Sequence, residues 1–426
     1  MKRHYLPLTI FITKTHGLNF KIPRLFLFVF YASLLFGCKS SDYKEPENND
    51  KGIEIITPLN LSLFGNKIYE SHAPGTLIGW LSTTVSSPNG TFTYTILPGG
   101  DQKLFNIPSG KNILTSAASF DYSTKQSYSI TIRTTDNAGL YFDKIFSIKV
   151  LPVSNYARMV LQKTNLIKQI KSDTTLSDYQ GIEETYIQYL NKGDSAMAIS
   201  FVKIDLTNPK ISFEAVTPFD SLKSGFQTVS TMIMHKNRHA AAERKKVIAG
   251  INGDYFNPQG KPLGLVYKNS QMILPWLDSI KPYYYMGILK DSKQAIIGDK
   301  SSFLLNSGAL QEALGARYLL VRDGNDQTST LNKNIEPRTA IGVLSPSTIV
   351  ILTVDGRQSA YSNGFSFVSL SKVFRAIGAT DAVNLDGGGS TVLIIKDKSD
   401  LYKIKNKPSG GSERAVANSW MILQKD

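Results

Sequence analysis

The chain has 426 residues, of which 42% are hydrophobic and 10% aromatic. That is enough apolar material for two or three folded domains, and it excludes an intrinsically disordered protein. The formal net charge is +14, but five basic residues and no acidic ones lie within residues 1–37, so the remainder keeps an excess of nine positive charges. These basic residues are scattered and accompany no nucleic-acid-binding motif, so we expect no nucleic-acid partner.

The first segment has the pattern of a secretory signal. Basic residues precede the apolar run LFLFVFYASLLFG, residues 25–37, which is short for a bilayer span. Cys38, the only cysteine of the chain, follows at once. The segment resembles a bacterial lipoprotein signal, in which the cysteine becomes the lipidated first residue of the mature chain. The alternative is an ordinary signal with a chance cysteine.

We therefore predict a signal peptide over residues 1–37, lipidation at Cys38 and a polar, flexible tether over residues 38–53. A membrane partner held through the lipid, and an outer-membrane location in the cell envelope, follow from that resemblance. The periplasmic and the exposed face of that membrane both stay open.

Residues 54–154 show the alternation of short β-strands. TFTYTIL, YSITIRTT and KIFSIKVLPV each alternate polar and apolar residues, and PGG and DNAG mark turns. This pattern predicts an all-β sandwich. The stretch FDYSTKQSYSITIRTTDNAG resembles a cadherin-like repeat, but only Asp121 and Asp136 match the carboxylates with which cadherins bind calcium. We expect a spacer or adhesive module, and calcium binding stays an alternative.

From residue 155 to 426 the pattern mixes helices and strands. YARMVLQKTNLIKQI and FQTVSTMIMHKNRHAAAERKK have helical spacing, whereas AMAISFVKIDL, VIAGIN and TIVILTV are typical of strands. Regular βαβ alternation is missing. We therefore predict an α+β catalytic domain, with a mixed, largely antiparallel sheet and flanking helices.

Three familiar hydrolase sites lack their residues. His235 and His239 have the spacing of a zinc protease, but HKNRH has Lys where that motif needs Glu. The stretch AVNLDGGGSTVLII is no nucleophile elbow, because Val392 stands where G-x-S-x-G needs its second glycine. No lysine follows its glycines, which excludes a P-loop.

Polar residues gather instead where apolar runs end, as active residues carried by a rigid sheet often do. They are Asn252 and Asp254, Arg338 and Thr339, Asp355 and Arg357, Asn384 and Asp386 with Gly387, Gly388, Gly389, Ser390 and Thr391, and finally Glu413 and Arg414. Arginine binds phosphate oxygens in a bidentate fashion, carboxylates act at anomeric carbons, and bare glycine backbone can approach an anion. Taken singly, Asp-Gly pairs such as VDGR are also ordinary turns.

The segments AGINGDYFN, EPRTAIGV, ILTVDGR, DAVNLDGGGSTVLI and ERAVANS occur in the order found in the phosphodiester glycosidase family. The resemblance covers about residues 200–426. It implies a hydrolase that cleaves the bond between an anomeric carbon and phosphate in a glycosyl phosphodiester. Asp254 departs from the family, since many members carry a glycine or another small residue there.

We assign provisional roles on this basis. Asp386 or Asp355 would act as base or nucleophile, and Asp254 adds a carboxylate near them. Asn252 and Asn384 would orient sugar hydroxyls.

The phosphate would be held by an arginine. The candidates are Arg338, Arg357 and Arg414, assisted by the amides of Gly387 to Gly389. Thr339, Ser390, Thr391 and Glu413 complete the predicted substrate-binding set.

No cofactor is required by this chemistry, and no ligand motif indicates a metal, although a structural divalent cation stays open. Three rival interpretations remain. The chain could be a phosphodiesterase that breaks the P–O bond, a glycan-binding module without turnover, or a structural envelope protein in which the glycines are only turns.

Overall fold

The computed structural model describes residues 58–85, 90–277 and 283–426. The predicted signal peptide, Cys38, the tether and the first residues of the predicted sandwich lie outside these ranges. Residues 55–426 form one compact unit, and the domain boundaries predicted from the sequence stay predictions. Among the described residues, no helix combines the length and the apolar character needed to cross a membrane.

The first described part is built from eight strands. They are β1 (Pro58–Phe64), β2 (Lys67–Tyr69), β3 (Leu77–Val85), β4 (Thr93–Ile96), β5 (Phe105–Asn106), β6 (Ile113–Ser116), β7 (Ser127–Thr135) and β8 (Tyr141–Leu151). They form two four-stranded sheets, in the orders β1-β3-β6-β5 and β2-β8-β7-β4. Strand β7 buries alternate side chains, including Ile130 and Ile132, in the core of this part. The prediction of an all-β first domain is confirmed.

The two carboxylates with cadherin-like placement both stabilise their own turns. Asp121 Oδ1 accepts a hydrogen bond from the Ser123 amide at 2.9 Å. Asp136 Oδ1 accepts one from the Ala138 amide, also at 2.9 Å. Within the described ranges, no group of three or more His, Cys, Asp or Glu side chains could hold a metal ion.

The second part contains eighteen strands and four α-helices within the described ranges. The helices are α1 (Asn155–Lys163), α2 (Val229–Ala240), α3 (Lys300–Asn306) and α4 (Phe367–Ala376). The strands are β9 (Ile167–Leu176), β10 (Ile182–Asn191), β11 (Ala196–Asp205), β12 (Ile211–Val216), β13 (Lys245–Asn252), β14 (Val266–Lys268), β15 (Gln271–Leu274), β16 (Tyr284–Leu289), β17 (Ala295–Gly298), β18 (Leu310–Ala316), β19 (Tyr318–Arg322), β20 (Asn325–Asp326), β21 (Arg338–Ser345), β22 (Thr348–Val354), β23 (Asp381–Asn384), β24 (Leu393–Lys396), β25 (Tyr402–Ile404) and β26 (Ser419–Lys425).

These strands form three sheets. An eight-stranded sheet has the order β20-β19-β23-β21-β22-β11-β10-β9, and two five-stranded sheets have the orders β12-β26-β13-β24-β25 and β15-β14-β18-β16-β17. Neighbouring strands pair antiparallel, for example β21 with β22 and with β23. The predicted α+β class with a largely antiparallel sheet is confirmed.

The eight-stranded sheet is buried on both faces. In β11, Val202 and Ile204 pack into a core shared with both five-stranded sheets, whereas Ile199 and Phe201 pack into a second core with α1 and α4. Burial on both faces explains why AMAISFVKIDL is almost continuously apolar. The prediction of a strand for this run is correct.

One predicted helix is only half right. Helix α1 begins after Ser154, whose hydroxyl accepts a hydrogen bond from the Ala157 amide, and it ends at Lys163. The following residues, which also fit a helical period, form β9 instead. Pairing with β10 supplies backbone hydrogen bonds that outweigh the weak helical preference of this segment.

Glu70 ties the sandwich to α1. Its Oε1 accepts hydrogen bonds from the Val153 amide at 3.1 Å and from Arg158 Nη2 at 2.7 Å. Its Oε2 accepts one from the Tyr122 amide at 3.1 Å. A single buried carboxylate thus satisfies two backbone amides and one guanidinium where the two parts meet.

We expect Glu70→Gln to lower the free energy of unfolding by roughly 1–3 kcal/mol. Both carboxylate oxygens of Glu70 accept hydrogen bonds, and the NH₂ group that replaces one of them in glutamine cannot accept, so one donor would lose its partner. Urea unfolding followed by circular dichroism measures this change. The matched control is Asp194→Asn, which removes the exposed ion pair with Lys168 and should cost less than about 1 kcal/mol. Equal stability of the two variants would contradict the anchoring role of Glu70.

Candidate functional site

Antiparallel pairing brings the predicted polar segments to one edge of the eight-stranded sheet. Strand β21 begins at Arg338, β22 ends at Val354, and β23 ends at Asn384. Because β21 runs opposite to both neighbours, its start meets their ends, as the pairs Arg338↔Val354 and Ala340↔Asn384 show. Strand β13 of the neighbouring sheet ends at Asn252 beside them.

Asn252 is the buried brace of this edge. Its Nδ2 donates to the Asp386 carbonyl oxygen at 2.7 Å. Its Oδ1 accepts from the Thr339 hydroxyl at 2.8 Å and from the Val392 amide at 3.2 Å. The side chain is fully buried, so Asn252 and Thr339 hold the site in shape and do not face solvent.

The glycine-rich stretch crosses from one sheet to another. Strand β23 belongs to the eight-stranded sheet and β24 to a five-stranded one, so the stretch is not a hairpin. Gly388 has φ +58°, which favours glycine. A Cβ on Gly387 would lie 2.7 Å from the Pro337 carbonyl oxygen. The glycines therefore serve a tight crossing over the start of β21.

Two arginines flank this crossing. A Cβ on Gly388 would lie 3.2 Å from Arg357 Nη2, and one on Gly389 would lie 3.6 Å from Arg414 Nη1. A side chain at Gly388 would therefore crowd the Arg357 guanidinium, whereas the separation at Gly389 is an ordinary van der Waals contact. Geometric need and chemical use coincide at these glycines.

Asp386 is the carboxylate at this crossing, and Arg414 lies beside it. Its Oδ1 accepts from the Gly387 amide at 2.8 Å, and its Oδ2 lies 3.8 Å from Arg414 Nη2. The Ser390 hydroxyl is close to the same carboxylate but forms no well-aligned hydrogen bond. Burial raises the pKa of Asp386 above its ordinary value, and the Gly387 amide and the Arg414 charge oppose that shift only in part.

Asp254 lies beneath Asp386 in a closed cage. Its Oδ2 accepts from the Gly264 amide at 2.7 Å, and its Oδ1 accepts from the Tyr255 amide at 2.7 Å and from the Tyr283 hydroxyl. Burial raises the pKa of Asp254 to about 7, and the nearby charge of Asp386 adds to the shift. The carboxyl group joins three segments and has no open side toward solvent.

Asp355 also faces the protein. Its carboxylate accepts from the Lys407 amide at 2.9 Å and from Asn406 Nδ2 at 3.0 Å. Burial raises its pKa, against those hydrogen bonds. The side chain thereby fixes the segment around residue 406 against the end of β22.

The three arginines predicted to bind phosphate differ in accessibility. Arg338 is buried: its Nε donates to the Phe365 carbonyl, its Nη2 donates to the Asn334 carbonyl, and its guanidinium lies 4.0 Å from the Phe367 ring centre. The side chains of Arg357 and Arg414 are both 52% exposed. Only these two present guanidinium groups to a ligand.

Each exposed arginine is positioned by one neighbour. Arg357 Nε donates to Glu336 Oε2 at 2.6 Å, and its backbone has φ +61°. The Arg414 guanidinium carbon lies 5.2 Å from the centre of the Phe256 ring. These contacts hold both arginines over the crossing and leave their outer donors free.

The remaining predicted site residues are Glu413, Asn384, Ser390 and Thr391, and their side chains contact the protein. Glu413 turns away, because its carboxylate accepts from the amide and hydroxyl of Ser230 at the start of α2. Asn384 donates to the Tyr255 hydroxyl at 2.9 Å, while its Oδ1 is buried and has no partner among the described residues. The Ser390 and Thr391 hydroxyls are also buried and unpartnered there.

Several residues of the site were not singled out from the sequence. Tyr255 and Glu336 lie inside the motif segments INGDYF and EPRTAIG. Their place in those segments is the one feature of the sequence that could have identified them as site residues. Tyr318, which starts β19 opposite Asn384, and the preceding Arg317 lie outside every motif. The Arg317 guanidinium carbon lies 5.4 Å from the Tyr318 ring centre. Only the pairing of β19 with β23 brings them to the site.

We expect Asp254→Asn to flatten the pH dependence of stability. The pKa of Asp254 is about 7 in the folded chain, whereas an unfolded aspartate has about 3.9. The folded chain therefore keeps a proton that the unfolded chain releases, so this group's stabilising contribution is lost as pH rises from about 4 to about 7.

Urea unfolding at several pH values between 5 and 8 measures that slope. Asp323→Asn, at an exposed turn, is the matched control and should keep the wild-type slope. An unchanged slope in Asp254→Asn would contradict the shifted pKa, whatever the absolute stability of the variant.

Comparisons with known proteins agree with the motif order. Residues 245–423 match the family model of phosphodiester glycosidases. The "SPbeta prophage-derived uncharacterized protein YomE" of Bacillus subtilis is 29% identical over 201 residues, which is 43% of this chain but only 29% of that protein. The matched part of the chain thus spans less than a third of that relative.

Two solved structures show looser likeness. The zebrafish N-acetylglucosamine-1-phosphodiester alpha-N-acetylglucosaminidase catalytic domain has 14% identity, a TM-score of 0.44, and coverage of 60% of this chain and 88% of its own. Cadherin domains 1–4 of protocadherin gamma B7 have 16% identity, a TM-score of 0.20, and coverage of 40% and 38%. On the strength of the family model, residues 245–423 form a phosphodiester glycosidase domain.

Proposed function

We propose that this site hydrolyses glycosyl phosphodiesters at the bond between the anomeric carbon and the phosphate oxygen, with Asp386 as its base or nucleophile. One observation carries the proposal: Asp386 lies at the glycine crossing with the half-exposed Arg414 beside its carboxylate, and the half-exposed Arg357 lies against Gly388 of the same crossing. A carboxylate and two cationic groups at one crossing match a substrate that joins a sugar to a phosphate.

The other carboxylates support this choice by their contacts. Asp254 is enclosed by Gly264, Tyr255 and Tyr283, and Asp355 is occupied by Asn406 and the Lys407 amide. The Asp386 carboxylate accepts a well-aligned hydrogen bond from the Gly387 amide, and its Oδ2 lies 3.8 Å from the Arg414 guanidinium. Burial also raises the pKa of Asp386, which makes its carboxylate a better proton acceptor than an exposed aspartate.

The reaction is a hydrolysis in which the C1–O bond breaks and its electron pair leaves on the phosphate oxygen. A water oxygen forms the new bond to C1, and its proton passes to Asp386 when that carboxylate acts as a base. If Asp386 first attacks C1 itself, water then displaces it and releases the same free sugar. The phosphate group is a good leaving group, so a strong general acid is not needed.

The arginines would stabilise the departing charge. Arg357 and Arg414 flank the amides of the crossing, so a phosphate placed over Gly388 would meet donors from both sides. Glu336 holds Arg357 in that position. Tyr255, held by a hydrogen bond from the fully buried Asn384, would lie on the sugar side of the same edge.

We also propose that Cys38 carries a lipid and anchors the chain to the outer membrane, because its segment resembles a lipoprotein signal. Fractionation of cells that express Cys38→Ser tests this proposal. The variant should leave the membrane fraction, and unchanged membrane retention would contradict the anchor.

We expect Asp386→Asn to lower the rate of sugar release about 10²–10⁴-fold, as the loss of a catalytic carboxylate does. The assay supplies UDP-N-acetylglucosamine and a methyl α-glucosyl phosphate diester, with and without EDTA, and separates free sugar from sugar phosphate. Wild-type activity should survive EDTA, and Asp323→Asn should retain it.

The products decide between the rival functions. Sugar phosphate in place of free sugar would move the cut to the P–O bond and identify a phosphodiesterase. Full activity of Asp386→Asn would exclude its assigned role. Failure to cleave both substrates would favour a glycan-binding module.

We expect Arg357→Ala and Arg414→Ala each to lower kcat/KM for the diester about 10- to 100-fold, because each removes a charge-assisted hydrogen bond worth roughly 1.5–3 kcal/mol. A p-nitrophenyl glucoside, which lacks phosphate, should show no such loss in the same variants. Arg238→Ala, on the exposed face of α2, is the control. Equal losses on both substrates would contradict phosphate binding by these arginines.

A further inference from the structure

A cleft of about 330 Å³, here called the junction cleft, lies where the sandwich meets strand β9. Its walls come from β2, β3 and β9. Two hydrogen bonds hold these walls together: His72 Nε2 accepts from the Ile170 amide at 2.7 Å, and Gln169 Nε2 donates to the Leu77 carbonyl at 3.0 Å. The cleft is therefore a fixed part of one compact unit, and ligand sites often lie at such domain junctions.

Two large aromatic rings stand exposed beside this cleft. Trp80 lines it and is 52% exposed, and Phe64 is 62% exposed. The two residues are direct partners across β1 and β3, so their rings share one face of the sheet. Large aromatic rings that lie exposed side by side are typical of binding surfaces, because water solvates their apolar faces poorly.

The charge in the cleft has one sign. Lys67 and Lys171 line it, and no Asp or Glu is among its lining residues. Lys171 Nζ donates to Gln169 Oε1 at 3.0 Å, which holds the ammonium group at the wall. Within 4 Å, neither lysine has a carboxylate partner among the described residues, although the charge of Asp194 acts on Lys171 from a longer distance. The cleft therefore presents two ammonium groups without a direct ion pair beside an aromatic surface.

We propose that the junction cleft binds an anionic saccharide, with a sugar ring stacked on Trp80 and a phosphate held by Lys67 and Lys171. The aromatic and charged walls point to a ligand that has an apolar face and a negative group. The choice of a phosphorylated saccharide among such ligands rests on the proposed function of the same chain.

This site is separate from Asp386. Strand β9 lies five strands from β23 in the eight-stranded sheet, or about 24 Å at the usual spacing of 4.7–4.9 Å. A ligand that reaches both sites must be polymeric. The junction cleft would thus hold a glycan chain away from the bond that is cut.

Binding of a phosphorylated mannopentaose to the purified chain tests the proposal, with unphosphorylated mannopentaose as the matched neutral probe. Titration calorimetry measures affinity, and the change in tryptophan fluorescence reports on Trp80. We expect the phosphorylated probe to bind at least tenfold more tightly than the neutral one, and its affinity should fall with added salt.

Trp80→Ala and Lys171→Ala should each weaken binding at least tenfold, whereas Trp80→Phe keeps a ring and should retain most of the affinity. Ile145→Ala and Lys103→Ala, exposed elsewhere on the sandwich, are the matched controls. All these side chains are exposed, so the variants should fold, and thermal unfolding verifies this.

Absence of binding, or equal binding by Trp80→Ala and the wild type, would overturn the proposal. Trp80-dependent binding to phosphatidylglycerol vesicles or to oligo(dT), with none to the saccharide, would also overturn it and name another ligand. Hydrolysis is assayed separately on the same preparation with UDP-N-acetylglucosamine. Loss of catalysis with binding intact, or the reverse, therefore shows which of the two proposals has failed.

Discussion

The buried amide of Asn252 is the interaction on which the site depends. One side chain binds the backbone at Asp386 and Val392 and the hydroxyl of Thr339. It thereby joins the end of β13, the start of β21 and both ends of the glycine crossing. An amide suits this position because it can donate and accept at once, whereas a carboxylate cannot. Because the Asn252 side chain is fully buried, these hydrogen bonds are shielded from solvent and hold the crossing in place.

Within that rigid frame, Asp254, Asp355 and Asp386 differ in their surroundings, although all three are aspartates. The carboxylates of Asp254 and Asp355 accept hydrogen bonds from backbone amides and neighbouring side chains. Both residues therefore stabilise the segments beneath the site. Asp386 stands one layer further out, where a single amide and a distant guanidinium leave one oxygen accessible. The same residue type thus provides architecture in two places and chemistry in the third.

The two proposed binding sites lie at two different edges of the eight-stranded sheet. One is the strand-end edge of the eight-stranded sheet, where β21, β22 and β23 place polar loops together. The other is the lateral edge, where β9 is the last strand of the sheet and side chains of the sandwich cover it by accepting hydrogen bonds from its amides. Glu70 and His72 hold the sandwich there by accepting backbone hydrogen bonds. Covering the edge also creates the cleft that Trp80 lines.

The sequence alone determined the fold class, the polar segments and their order, because alternation, apolar runs and short motifs are local properties. It also ranked Asp386 among the candidates. It could not tell that Asp254, Asp355, Arg338 and Glu413 turn inward, since a polar residue at a strand end looks the same whether it meets solvent or a neighbouring amide. It extended the helical pattern of α1 to residue 170, into the first residues of β9, because the apolar spacing there fits both periods. Tertiary structure decided these points: strand pairing chose between the periods, and the packing of distant segments chose which charges stay exposed.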